Sequence, residues 1–211
     1  MNIKYFVRTT GERVLDKSYE QIEYTLLIDK EHKPIQSFID QLNIISEYNA
    51  VLLEDDCILC DNFKENIEQV INNYPTDVIN FFTRPLDYFT TQYSTTFLYN
   101  QCTFYPQGTG KLIASKMQDL WKIFTDIRGY DYLEDKALQT LGMAHLQYRP
   151  ALVQHNDRKS IINTSHESRI TPYYIDYLKE LNIDYDSATC ILSRSKLLNY
   201  RNRHLHLLGY K

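Results

Sequence analysis

Ala50-Val51-Leu52-Leu53-Glu54-Asp55-Asp56 is the stretch whose reading decides the fold. Four apolar residues in a row suit a strand covered on both faces, as in the parallel sheets of α/β proteins. The run ends in three carboxylates, which repel one another and raise each other's pKa unless positive charge sits among them. A divalent cation meets that need. Carboxylate oxygens suit magnesium and manganese, which commonly bridge a protein acid and the phosphates of a nucleotide. If the strand continued through the acids, Asp55 and Asp56 would face opposite ways, leaving one of them to ligate directly. The alternative is a solvated acidic loop at a strand end, and the flanking chain decides between the two.

Upstream, Ile3-Lys4-Tyr5-Phe6-Val7 reads as a short strand and Arg8 to Arg13 as the polar loop leaving it. Loops at such strand ends are where open α/β sheets bind nucleotides. Arg8 and Arg13 could reach phosphates there, and Thr9 and Thr10 a base or ribose; an ordinary turn with exposed arginines is the competing reading. A short helix near Leu15 to Ile22 and a strand over Tyr24 to Asp29 follow. Pro34 suits a first helical position, and Ile35, Phe38, Ile39, Leu42 and Ile45 recur at the spacing of one apolar helical face.

Downstream, Asp61 is placed to cap a helix carrying Phe63, Ile67, Val70, Ile71 and Tyr74 on one face, stopped by Pro75. Asp77 to Phe82 reads as a fourth strand. The alternation of strands and helices predicts a mostly parallel central sheet flanked by helices. From Tyr88 to Tyr105 aromatic and β-branched residues predict irregular strands. They end at Gln107-Gly108-Thr109-Gly110-Lys111, a glycine turn feeding a helix, where a ligand could approach the backbone closely. It lacks the spacing of a phosphate-binding P-loop.

A further helix begins around Gly129 to Lys136, with Leu133, Ala137 and Leu141 facing inward. Glu134 and Asp135 near its start have a structural explanation in the helix dipole. They also have a chemical one, since an aspartate beside a nucleotide-metal site could serve as a general base. Gln147 to His155 reads as one late strand delivering a histidine, and neutral imidazole is an acceptable manganese ligand. Lys159 lies where a loop could cover phosphates. A helix over Thr171 to Asn182 precedes the end of the chain.

The 211 residues suit one domain with a small C-terminal appendage. A net charge of −4 excludes a chain that binds nucleic acid over its whole surface. Its distribution is uneven, however: from Ala188 to Lys211 stand Arg194, Lys196, Arg201, Arg203 and Lys211 with no acid. No segment has the apolar length of a signal region or a membrane span, so a soluble, cytoplasmic protein without an integral membrane segment is expected. Cys57-Ile58-Leu59-Cys60 is formally a CxxC, but it follows an acidic cluster and has no second pair, which argues against a redox or zinc role.

Taken together, these residues resemble the nucleotide-sugar-dependent glycosyltransferases of the GT-A fold. The resemblance spans residues 1–165, leaving 166–211 as a helical, basic extension. It rests on Val51 to Asp56 as a DxD-type motif, the Gly108 to Gly110 loop, Leu133-Glu134-Asp135 as an xED motif and Leu152-Val153-Gln154-His155 as a C-terminal histidine. The three-acid Glu-Asp-Asp departs from a strict Asp-x-Asp. The family implies a Rossmann-like sheet and an inverting hexosyltransferase. In it Asp56 and His155 would ligate Mn2+ or Mg2+ on the donor diphosphate, while Glu54 and Asp55 would touch ribose or sugar. Asp135 would be the base and Glu134 would orient a substrate. The segment Arg8-Thr9-Thr10 with Arg13 would recognise the nucleotide of a donor such as UDP-glucose.

The basic tail, interleaved with Tyr200, His204 and His206, is similar to segments of phage-type DNA glycosyltransferases. That implies a hydroxymethylated pyrimidine in double-stranded DNA as acceptor, with Arg194, Lys196, Arg201 and Arg203 on the phosphate backbone. The competing readings are a transferase for a cell-surface glycan or protein, an inactive nucleotide-sugar-binding module, and a nucleotidyltransferase.

Overall fold

The structure is a computed structural model, and it describes residues 1–82, 101–124, 129–143, 145–148, 150–156 and 174–180. Alternation in β1 (Ile3–Thr9) sends Tyr5 and Val7 to one face and Phe6 and Arg8 to the other. β1 lies between β2 (Tyr24–Ile28) and β3 (Asn49–Glu54), parallel to both, with Arg8 opposite Glu54. Next to β3 runs β6 (Cys102–Tyr105), antiparallel, followed by β5 (Val78–Asn80) and, at the far edge, β7 (His145–Gln147). β5 is antiparallel to β6 and parallel to β7. The result is a mostly parallel six-stranded sheet flanked by helices, with β6 as the reversed strand.

Each face has its own core. One holds Phe6, Leu52 and Tyr105 under α1 (Pro34–Ile45), α3 (Thr109–Ile123) and α4 (Tyr130–Leu141). The predicted stripe of α1 supplies Phe38, Ile39, Leu42 and Ile45 to it, all wholly buried. Truncating such a side chain to alanine costs about 2–5 kcal/mol. The other face buries Val7, Val51, Leu53 and Phe104 under α2 (Phe63–Asn73), α5 (Ile175–Glu180) and a small two-stranded ribbon. That ribbon pairs β4 (Cys57–Leu59) with β8 (Val153–His155), antiparallel.

Several expectations change in detail. The strand expected over Gln147 to His155 is two strands in different sheets, β7 and β8, separated at Pro150, which has no N–H to give a ladder. The helix near Leu15 is a short 3-10 turn over Lys17–Gln21, capped by the Asp16 carboxylate accepting from the Ser18 N–H at 2.9 Å. Asp61 does not cap α2; the helix starts after Asn62, which adopts a left-handed φ of 54°, and the Asp61 N–H donates to Asp176 of α5. Of the irregular strands expected from Tyr88, β6 is described and residues 83–100 lie outside the described residues. The expected helix from Thr171 is described over Ile175–Glu180. The basic part of the expected 166–211 extension lies outside them too.

Candidate functional site

Strand β3 stops at Glu54, so Asp55 and Asp56 sit on a turn before β4 rather than on an extended strand. Freed from alternation, their carboxylates converge. A single Arg13 nitrogen, Nη1, donates to Asp55 Oδ1 at 3.0 Å and to Asp56 Oδ2 at 2.6 Å. The Thr9 hydroxyl donates to Asp55 Oδ2 at 2.5 Å and accepts from the Gly11 N–H at 2.9 Å. The loop after β1 is therefore folded back over the end of β3 by its own polar residues. The Gly11 φ of +84° permits that reversal.

His155 arrives from a distant part of the chain. The β4–β8 ladder sets Cys57 opposite His155, and the Asn156 N–H donates to the Asp56 carbonyl at 2.6 Å. This brings His155 Nε2 to 3.3 Å from Asp56 Oδ2, outside hydrogen-bonding geometry. The two residues are 4 % and 8 % exposed, and Asp56 Oδ1 and both ring nitrogens of His155 are buried without a hydrogen-bond partner. Buried polar atoms left so are uncommon and call for an explanation such as a bound ion. Burial alone would raise the Asp56 pKa, but His155 and Arg13 overcome it and hold the group at about 2. Asp56 is thus an anion at neutral pH with one buried oxygen that accepts no hydrogen bond.

Beside this pair lies a second polar group on the opposite face of β1 and β3. Arg8 is stacked 4.0 Å from the Tyr130 ring centroid and 4.9 Å from that of Phe38, with Nη1 3.7 Å from Glu54 Oε1. The Tyr130 hydroxyl donates to the same Glu54 oxygen, and Tyr19 donates to the Glu54 carbonyl. Burial, with the Asp56 charge adding to it, lifts Glu54 to about 7 against the opposing effect of Arg8. Packing on aromatic faces suits a guanidinium, whose hydration is weak. Arg8 is therefore a buttress that ties the start of α4 and the middle of α1 to the end of β3, rather than an exposed phosphate contact. Thr10 is half-buried with its hydroxyl unpartnered.

The remaining nominated residues are dispersed. Gly108 and Gly110 begin α3 at the opposite end of β3, roughly 16 Å of strand away. Gly108 adopts φ +87° and donates its N–H to the Ser46 carbonyl at 2.8 Å. A Cβ on Gly110 would fall 2.4 Å from the Leu42 carbonyl oxygen. Both glycines thus serve the packing of α3 on α1, at the end of β3 away from the acid cluster. Glu134 is wholly buried, accepts from the Tyr105 hydroxyl at 2.6 Å and is pushed up to about 8 by burial. Asp135 is partly exposed, accepts from Gln139 at 2.8 Å and is raised by burial. Neither acid is in the first turn of its helix; Asp131 is.

Asp131 and Tyr130 are residues that sequence reasoning missed. Asp131 acts electrostatically on Glu54, Arg8 and Glu134. An aromatic-acid pair opening a helix was the available signal. Lys159, Arg194, Lys196, Arg201 and Arg203 lie outside the described residues. The CxxC thiols are buried, with Cys57 held well above its usual range and Cys60 pushed up to about 12, so both are kept protonated. Among the described residues no three His, Cys, Asp or Glu side chains form a metal-binding group, and no helix is long and apolar enough to cross a membrane.

No protein-family model matches this sequence, and no curated protein matches it.

Proposed function

We propose that the chain is a divalent-cation-dependent, inverting glycosyltransferase that moves a sugar from a nucleotide sugar, with uridine diphosphate as the carrier, to an acceptor hydroxyl. The observation that carries this reading is the β4–β8 ladder, which sets His155 against Asp56 at the carboxyl end of β3, with unpartnered buried atoms on both. One carboxylate and one imidazole fit magnesium or manganese, which draw their other ligands from diphosphate and water. Bound there, the cation supplies Lewis-acid stabilisation of the departing diphosphate.

The protein's own part is positioning and proton removal. Arg13 and Thr9 carry donors at the mouth of the cluster, where a diphosphate accepts them, and Asp55 is held by both. Glu54, locked by Tyr130 and Arg8, fixes the start of α4 against the end of β3. Asp135, about 7 Å further along that helix, is the base on the strength of the motif resemblance, and its raised pKa suits accepting a proton. Asp131, in the first turn, is the alternative its position supports. The acceptor proposal, a hydroxymethylated pyrimidine in duplex DNA, rests on the basic sequence from Arg194 to Arg203.

The test is release of uridine diphosphate from its glucose conjugate with manganese, with modified duplex, plain duplex or neither as acceptor. Stimulation by the modified duplex alone supports both parts. Slow, cation-dependent release independent of DNA keeps the transferase and removes the DNA acceptor. Transfer of a nucleoside monophosphate, or binding without any turnover, refutes the transferase. Asp56→Asn and His155→Ala should each abolish cation-dependent binding of uridine diphosphate in calorimetry.

A further inference from the structure

We infer that Arg13 is an internal counter-ion that occupies the place of the cation's charge, and that it exchanges the carboxylates of Asp55 and Asp56 for a phosphate when a divalent ion binds. The inference rests on the proposed cation site and goes beyond it, because it makes cation and diphosphate binding cooperative through one side chain.

The geometry leads there directly. Arg13 Nη1 contacts Oδ1 of Asp55 and Oδ2 of Asp56, bridging two carboxylates that would otherwise repel. Asp56 Oδ2 is the oxygen His155 also approaches, at 3.3 Å, so a cation shared by Asp56 and His155 and the guanidinium compete for the same atom. A guanidinium and a dication cannot both crowd one carboxylate oxygen without strong repulsion. Asp56 Oδ1 and the ring nitrogens of His155 make no hydrogen bond while the guanidinium is in place, and the ring meets Asp56 only through its 3.3 Å approach to Oδ2. A cation held by Asp56 and by His155 Nε2 would satisfy that ring nitrogen and, by displacing the guanidinium from the carboxylate, release Arg13.

The released side chain has a defined destination. Arg13 projects from the loop after β1, where Thr9 and Gly11 fix the backbone by their own hydrogen bond. A planar fork of donors there matches phosphate as well as it matches carboxylate. Donor diphosphate would accept Arg13 after the cation has displaced it, and the cation would bind more tightly once the arginine has a new partner. Reciprocity of that kind is required of any two linked ligands.

The experiment measures manganese binding to the full chain by electron paramagnetic resonance of the free ion, with wild type, Arg13→Gln, Arg13→Lys, and each combined with Asp56→Asn. Arg13→Gln should bind manganese about tenfold to a hundredfold more tightly than wild type, the factor for removing one competing charge-assisted hydrogen bond. Arg13→Lys should lie between, and Asp56→Asn should abolish binding in every background. Manganese should also raise the thermal midpoint of Arg13→Gln more than that of wild type, which confirms that the variant folds. In wild type, magnesium should shift the Arg13 side-chain nitrogen resonances, and uridine diphosphate should shift them further. Equal or weaker manganese binding by Arg13→Gln, with Asp56→Asn still abolishing it, overturns the exchange and leaves the cation site standing. Binding that survives Asp56→Asn, or none in any variant, overturns the cation site and the exchange together.

Discussion

Replacing Glu134 by glutamine should stabilise the protein, and by more as the pH rises. Glu134 is wholly buried and its pKa is lifted from 4.5 to about 8 by burial, opposed by the Tyr105 hydrogen bond. The folded state therefore keeps a proton that the unfolded chain releases above 4.5. Stability is lost as pH climbs from there to about 8, at up to about 1.4 kcal/mol per pH unit, and below 4.5 the penalty vanishes. Between pH 5 and 8 the penalty grows by on the order of 3 kcal/mol, which for a chain of this size is roughly 10 °C in the thermal midpoint. Glutamine cannot ionise, yet its carbonyl oxygen can still accept from Tyr105. Urea midpoints and melting temperatures taken at unit steps across that window should show the variant's advantage widening steadily. Parallel profiles for the two proteins would refute the claim that Glu134 is held neutral by its surroundings, and would reopen a role for it as a charged group at the site.

Gly110→Ala should destabilise the fold by about 1–3 kcal/mol in urea unfolding, because the new methyl group meets the Leu42 carbonyl, a backbone atom that cannot swing aside. Donor binding in the surviving folded fraction should be unchanged, and a selective loss of binding would contradict the packing role. Asp135→Asn should leave cation and nucleotide binding intact while slowing transfer by about 10² to 10⁴. If turnover persists and Asp131→Asn abolishes it, the base belongs to the first turn of α4. Neutralising Arg201 and Arg203 should weaken duplex DNA binding and flatten its dependence on salt; an unchanged slope would exclude the tail from the phosphate backbone.

The sequence carried the parts of this fold that depend on local periodicity. The apolar run at Ala50 to Leu53 and the stripes of α1 and α2 announce themselves because their spacing is a property of one segment. Strand direction is not such a property, and nothing in Cys102 to Tyr105 tells that β6 runs backwards between β3 and β5. The same limit explains the site. Asp56 and His155 could be nominated by residue type, but only the β4–β8 pairing brings them together. The convergence of Asp55 and Asp56 on Arg13 depends on the strand ending one residue before them, and element ends are poorly encoded. Glu134 is legible as an acid near a helix start, but an isolated helix cannot reveal that Tyr105 waits opposite it. The stacking of Arg8 on Tyr130 and Phe38 joins three elements and has no signature in any of them.

The ladder between β4 and β8 also bears on how the molecule is made. It closes a loop of about one hundred residues, a step whose chain entropy amounts to roughly 4 kcal/mol. Pairing across such a span forms slowly compared with helices and neighbouring strands. During synthesis β1, β2 and β3 can assemble their shared hydrogen bonds long before Val153 to His155 exist. The acid cluster therefore spends part of its life with Arg13 on hand and His155 still unsynthesised. A nascent chain stalled before Val153 carries the whole acidic cluster and none of its histidine, so the pairing of Asp56 with His155 is completed only after most of the chain has been made.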